Sequence, residues 1–331
     1  MGQTADRIHW ADIAKGILII LVVYGHLDFF ASVCAGTSAY DFKAQTNFLL
    51  LPYYMPAFFI ITGMFSSYET PFETFIKRNF MSLIVPSVLI GCFVSHWLYS
   101  FFNTGVSYSN VLDVNYKEIA FTGGSWFLSA LFLSKLLFYV LYRISRSMLF
   151  IASCCIVFLL SGIFLYNNSI INPWYFQHAM IAVPFITIGF FIKSHLHILK
   201  HPLTLAIGCG VILYCYLHSY PYLNAMPNIK WYRSWLFLLL STGGSFLIFY
   251  LSINIGKCRL LEYAGRHSLV IYLIHMPIMV SLIKLSVLLN VESFALPYRI
   301  VLGLAITVLS TFLCAMIDTF IDKHFPILKG K

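Results

Sequence analysis

Asp12-Ile13-Ala14-Lys15-Gly16-Ile17-Leu18-Ile19-Ile20-Leu21-Val22-Val23-Tyr24-Gly25-His26 lies in an apolar run, 11–30. The run has about the 20 residues that a helix needs to cross roughly 30 Å of hydrocarbon. Lys15 and His26 interrupt it, eleven positions apart. At about 100° per residue they fall on one helical stripe, separated by about 16 Å along the axis. A cation and a potential base at that depth are costly unless they face a polar cavity or a partner, so the stripe marks a candidate functional site.

Working outward, similar runs fill the chain. Of its 331 residues 60% are hydrophobic and 10% charged, and the mean hydropathy is +0.83. This excludes a soluble globular protein. About ten segments read as transmembrane helices: 11–30, 48–66, 81–102, 125–142, 148–166, 178–193, 203–219, 234–254, 267–289 and 297–317. Those at 178–193 and 203–219 are short, so tilt or a re-entrant loop would lower the count. The expected fold is all-α, a single polytopic membrane domain over 1–331.

Basic residues orient it. With the N-terminus inside, fourteen of the 21 Lys and Arg residues fall on the cytoplasmic side, among them Arg7, Lys15, Lys77, Arg78, Arg143, Arg146, Arg266 and Lys329. Six fall outside (Lys43, Lys117, Lys230, Arg233, Lys284 and Arg299), and Lys135 is left inside a helix. Both termini are therefore expected in the cytoplasm and the protein in the cell's inner (plasma) membrane. This distribution also accounts for the net charge of +9 without nucleic acid, since no DNA-binding motif accompanies it. The first run carries charges and lacks a small-residue cleavage site, which argues for a retained anchor. Most cysteines lie in predicted spans and Cys34 alone in an outer loop, so no disulfide framework is expected. HExxH, CxxC pairs, GxSxG and the phosphate-cradling GxxxxGK[ST] are absent, and His195, His197 and His201 read as a solvated basic loop. No metal is expected.

Four stretches in order carry a resemblance. They are Arg7-Ile8-His9-Trp10-Ala11-Asp12-Ile13-Ala14-Lys15-Gly16 with Gly25-His26; Met55-Pro56-Ala57-Phe58-Phe59-Ile60-Ile61-Thr62-Gly63; Ser125-Trp126-Phe127-Leu128-Ser129-Ala130-Leu131-Phe132; and Gly265-Arg266-His267-Ser268-Leu269-Val270-Ile271-Tyr272-Leu273-Ile274-His275. Together, over about 7–318, they resemble the acyltransferase-3 family of integral membrane acyltransferases, and Asp12, Lys15 and Gly16 its sugar O-acetylase-like branch. The resemblance implies transfer of an acyl group, usually acetyl, from acetyl-CoA or another acyl-CoA to a hydroxyl of a glycan or glycolipid, with the first helix's basic residue and histidine linked to activity. Lys15 stands where polysaccharide-modifying members often carry arginine, and a lysine is a point charge rather than a bidentate fork. Lys77-Arg78 matches part of an arginine pair found before the third helix, which makes both coenzyme-binding candidates beside Lys15.

The residue chemistry is compatible with that activity. Attack of a hydroxyl on a thioester needs a base, and histidine, with an ordinary pKa near 6.5, suits the role, which His26 would fill. Tyr24, Ser125 and Trp126 are candidate donors to the developing oxyanion. Asp12 can steady Lys15 at i,i+3, but about 21 Å of helix separates it from His26, so it cannot orient that ring. Tyr272 and His275 are open to two readings, an acceptor or transition-state contact and a plain interhelical hydrogen bond. Lys15 can equally snorkel to headgroups, and Trp126 can belong to an aromatic belt. A transporter using the buried Lys and His as a relay is the alternative function.

Overall fold

Helices account for every element among the described residues of this computed structural model, which are 8–27, 41–104, 119–121, 123–168, 170, 173–217, 234–288 and 296–330. They are α1 (His9–Gly25), α2 (Asp41–Phe65), α3 (Phe72–Tyr99), α4 (Trp126–Ile144), α5 (Met148–Asn167), α6 (Phe176–Ile192), α7 (Pro202–Leu217), α8 (Ser234–Ile255), the short α9 (Arg259–Arg266), α10 (Ser268–Leu288) and α11 (Leu296–His324). Each expected apolar segment coincides with one of them. Seven stretches among the described residues are long and apolar enough to cross a membrane, against the ten expected. The described apolar parts of α2 and α7, Tyr53–Phe65 and Pro202–Tyr214, are shorter, and α1 has 17 residues. The segment expected at 178–193 is longer than the sequence suggested, because its span begins at Pro173 and reaches His195. Arg7, Cys34, Lys117, Lys230, Arg233 and Lys331, with most of the expected outer loops 31–47 and 103–124, lie outside the described residues. The six cysteines whose side chains are described are free thiols.

Lipid is as apolar as leucine, so helices in a bilayer gain most from packing closely, which small residues permit. Two pairs of glycines do this here. A β-carbon on Gly16 of α1 would collide with the Leu261 carbonyl of α9, and one on Gly265 of α9 with the Asp12 carbonyl of α1. Likewise Gly63 of α2 lies on the Ile186 carbonyl of α6, and Gly189 of α6 on the Ile60 carbonyl of α2. At the α1–α9 seam His9 Nδ1 lies 3.1 Å from Glu262 Oε2. The His9 contact holds the Glu262 carboxyl below the usual carboxylate range. A depressed carboxyl contributes stability above its unfolded-state pKa and loses it as pH falls through the folded value, so this seam weakens in acid.

α3 departs from a regular ladder. Pro86 offers no N–H, and the turns on either side, Phe80–Ile84 and Ser87–Val94, widen into π-helix. The chain's end is fixed by charge: the buried Asp318 of α11 receives Lys329 Nζ at 2.8 Å and faces His267 Nδ1 at 2.7 Å, where α9 meets α10.

Gly265→Ala should lower the thermal midpoint of the detergent-purified protein, since overpacking a close seam costs about 1–3 kcal/mol. Gly210→Ala on α7, where a β-carbon meets nothing within 4 Å, should be neutral or stabilising. Equal midpoints for the two variants, followed by tryptophan fluorescence on heating, would contradict the close α1–α9 contact.

Candidate functional site

α1 ends at Gly25 with its last carbonyls unpaired, as every helix end does. The His26 amide bonds back to Val23 at 3.1 Å, which leaves the Val22 carbonyl for the His26 ring, whose Nδ1–H donates to it at 2.8 Å. A carbonyl only accepts, so the bond assigns the proton to Nδ1 and the lone pair to Nε2. His275 of α10 is placed the same way. Its Nδ1–H donates to Tyr272 O at 2.8 Å and Ile271 O at 3.1 Å, leaving Nε2 as an acceptor 3.4 Å from His26 Nδ1. The two rings pack edge to face with centroids 5.0 Å apart. His275 is 2% exposed, whereas His26 is half-buried at the cavity wall.

Ser125 and Tyr272 complete this corner. Gly123 and Gly124 take φ of 68° and 91°, a region that side chains avoid, and a β-carbon on Gly124 would lie 2.8 Å from Ser87 Oγ. The glycines thereby bring the start of α4 onto α3, where the Ser125 N–H donates to the buried Ser87 Oγ at 2.7 Å. Ser125 Oγ–H donates to Tyr272 Oη at 2.9 Å. Tyr54 of α2 reaches the end of α1 because Gly25 has no side chain; a β-carbon there would stand 3.0 Å from the phenol oxygen.

Gly25, His26, Tyr54, Ser125, Tyr272 and His275 line one cavity of about 680 Å³, at the end of the bundle where α1 and α5 finish and α4 and α6 begin. Of the residues singled out in the sequence, His26, Ser125, Trp126, Tyr272 and His275 meet there. Lys15 does not. Its Nζ pairs with Asp12 at 2.8 Å, as the i,i+3 spacing predicts, and of the residues between it and His26 on the stripe Ile19 is buried off the lining and Val22 is on it. Tyr24 is also off the lining, and Lys77 and Arg78 are exposed at the start of α3, at the opposite end.

Three features show their setting only in the structure. Lys135, midway along α4, donates to the side-chain oxygen of the buried Asn79, whose own amide donates to Phe75 O at 2.7 Å. It lies about 15 Å along α4 from Ser125. Trp174 and Tyr175 both have left-handed backbones (φ 55° and 54°), a strain of about 1–3 kcal/mol each that the surrounding contacts must hold, such as the bond from Trp174 Nε1 to Ala120 O at 2.9 Å. That turn launches α6 with Gln177 and His178 on the cavity wall. A charge inside an apolar helix is a sequence signal, and Lys135 carries one; a strained non-glycine turn leaves none.

A family model described as "Acyltransferase domain", that of the acyltransferase-3 family, matches residues 8–316, nearly the whole chain. The chain is a multi-pass membrane acyltransferase and belongs to that family. Neither a curated protein nor a solved structure matches it.

Ser87→Ala would leave the Ser125 N–H without its partner inside the bundle, a loss of about 1–3 kcal/mol that should lower the thermal midpoint. Ser82→Ala, on an exposed residue of the same helix whose bond to Asn79 O is 3.4 Å long, should leave it unchanged. The reverse order would show that α4 is not held through Ser87.

Proposed function

We propose that this chain is an O-acyltransferase of the inner (plasma) membrane, with ten crossings and both termini cytoplasmic. It moves acetyl, or another short acyl group, from acyl-CoA to a sugar hydroxyl of an envelope glycan or lipid-linked precursor. What supports the reading most is that His26, His275, Ser125 and Tyr272, from three separate stretches of a family acyltransferase, converge on one cavity.

In the proposed reaction His26 Nε2 takes the proton of the acceptor hydroxyl as its oxygen attacks the thioester carbonyl. The Nδ1–H bond to Val22 O keeps the ring in that tautomer, and the negative end of the α1 dipole favours the imidazolium that forms. His275 Nε2 orients the ring, a position in which a carboxylate is more usual. Tyr272 accepts from Ser125, so its own O–H is turned to donate to the carbonyl oxygen as that gains charge. Attack forms the C–O bond of the new ester; collapse of the intermediate restores the carbonyl, breaks the C–S bond, and returns the proton from His26 to the coenzyme A sulfur. Lys77 and Arg78 lie at the proposed cytoplasmic end, where they would meet the phosphates of the donor. Lys135 adds a deeper cation along the way to the reaction centre. Lys15, paired with Asp12, contributes to that cationic mouth rather than to the chemistry.

His26→Ala should reduce turnover by about 10²–10⁴-fold, the usual contribution of a general base, while the protein still inserts and loses only the stability of the ring's bond to Val22 O, about 0.5–1.5 kcal/mol. A purified His26→Ala enzyme retaining more than a tenth of wild-type turnover would remove His26 from its role. In cells, deleting the gene should cost envelope glycans a mass of 42 daltons per acetyl, read by mass spectrometry.

Isothermal titration checks the donor end. Lys77→Gln/Arg78→Gln should weaken coenzyme A binding without altering the acceptor KM, and unchanged coenzyme A affinity would exclude both residues from the donor site.

A further inference from the structure

The hydroxyl of Tyr54, on α2, is a hydrogen-bond donor without an acceptor among the described residues. Its side chain is 5% exposed and lines the cavity beside His26, Ser125 and Tyr272. The hydroxyl is not sealed in the packing, as the equally unbonded hydroxyl of Tyr68 is. The end of α1 makes room for it: a β-carbon on Gly25 would stand 3.0 Å from the phenol oxygen, close enough that the ring would have to shift. His26 follows Gly25 directly, so the Tyr54 hydroxyl is held next to the proposed base, and the Tyr272 phenol is near enough to interact with it electrostatically. Buried polar groups are nearly always bonded, and the fold makes no use of this one. A donor left free at that place points to an oxygen on a molecule that enters the cavity.

We propose that Tyr54 is a second catalytic donor, its O–H and that of Tyr272 together holding the thioester carbonyl oxygen of the acyl donor. The inference rests on the acyltransfer reading of this site. A phenol is protonated at cellular pH and offers a hydrogen, whereas the base needs a lone pair, which His26 Nε2 supplies. As the acceptor oxygen attacks, the C–O bond forms and the carbonyl π pair moves onto the carbonyl oxygen. That oxygen has lone pairs enough for two phenol hydrogens, and donors already in place where charge develops act far more strongly inside a bundle than in water. Both phenols keep their protons throughout. When the pair returns, the C–S bond breaks and His26 gives its proton to the sulfur.

The test loads the full chain, in lipid nanodiscs, with acetyl-CoA carrying carbon-13 at the acetyl carbonyl. Isotope-edited infrared spectra then record the carbonyl stretch, which falls in frequency as the oxygen accepts hydrogen bonds. The stretch of the bound donor should lie below that of free acetyl-CoA, and Tyr54→Phe and Tyr272→Phe should each return part of the shift. Native membrane vesicles from a strain lacking the gene, supplied with each variant, give turnover as coenzyme A release. Tyr54→Phe should lower it by about 10²–10³-fold, the usual effect of losing one such donor. Its coenzyme A affinity by isothermal titration and its thermal midpoint should stay at the wild-type values, since no bond within the protein is lost. Tyr68→Phe, which removes a hydroxyl sealed away from the cavity, should leave both the stretch and the turnover unchanged. A Tyr54→Phe protein with the wild-type stretch or the wild-type turnover overturns the proposal. So does a lower thermal midpoint with an unshifted stretch, which would make the hydroxyl structural. Wild-type vesicles that release no coenzyme A refute the acyltransfer reading instead, and the infrared shift still decides the Tyr54 contact. Wild-type protein that binds no acetyl-CoA refutes both.

Discussion

The hydrogen bond from the His26 ring to the Val22 carbonyl joins the fold to the chemistry. A helix that stops within a membrane bundle leaves carbonyls that water cannot reach, and these must be satisfied by protein. Here the first residue past the end of α1 caps one of them with its own ring. The same bond assigns the imidazole tautomer, directs the lone pair of Nε2, and leaves the ring where the helix dipole favours a positive charge. His275 meets that ring because the carbonyls of its own helix fix its tautomer in the same sense.

Close helix packing makes this possible. Gly16 and Gly265 lock α1 to α9, directly before α10 begins, so that the helices bearing His26 and His275 are tied together through one short segment. Gly63 and Gly189 do the same for α2 and α6, which bring Tyr54 and His178 to the cavity. The buried Asp318, held by Lys329 and His267, fixes the start of α10 from the other side. Four separate parts of the sequence therefore reach one cavity through backbone contacts that a single methyl group would disturb.

The periodicity of one helix was a good guide to α1 and a poor one beyond it. The spacing of Lys15 and Asp12 gives their ion pair directly, and the apolar runs mark every long helix of the bundle but not the short α9. The stripe from Lys15 to His26 is real as geometry, but only its far end, Val22 and His26, reaches the cavity, while Lys15 is held by Asp12, which no single-helix pattern reveals. Tyr272 and His275 at i,i+3 were legible as a pair, but their partners, Ser125 and His26, lie 147 and 249 positions away. Gln177 and His178 owe their orientation to left-handed backbone at Trp174 and Tyr175, residues whose types give no warning of it. In Gly123-Gly124 the signal was present, since paired glycines before a helix allow positive φ, and only the contact with Ser87 shows why it is needed.

The most direct test of the account is the protonation state of two rings. Nitrogen-15 NMR of the whole protein, labelled at histidine and assigned by loss of signal in His26→Asn and His275→Asn, distinguishes the two neutral tautomers. At a pH where both rings are neutral, His26 and His275 should each carry the proton on Nδ1, with the lone pair on Nε2. A proton on Nε2 of His26 would contradict the account, because that ring could then neither cap Val22 nor accept a proton from a hydroxyl in the cavity.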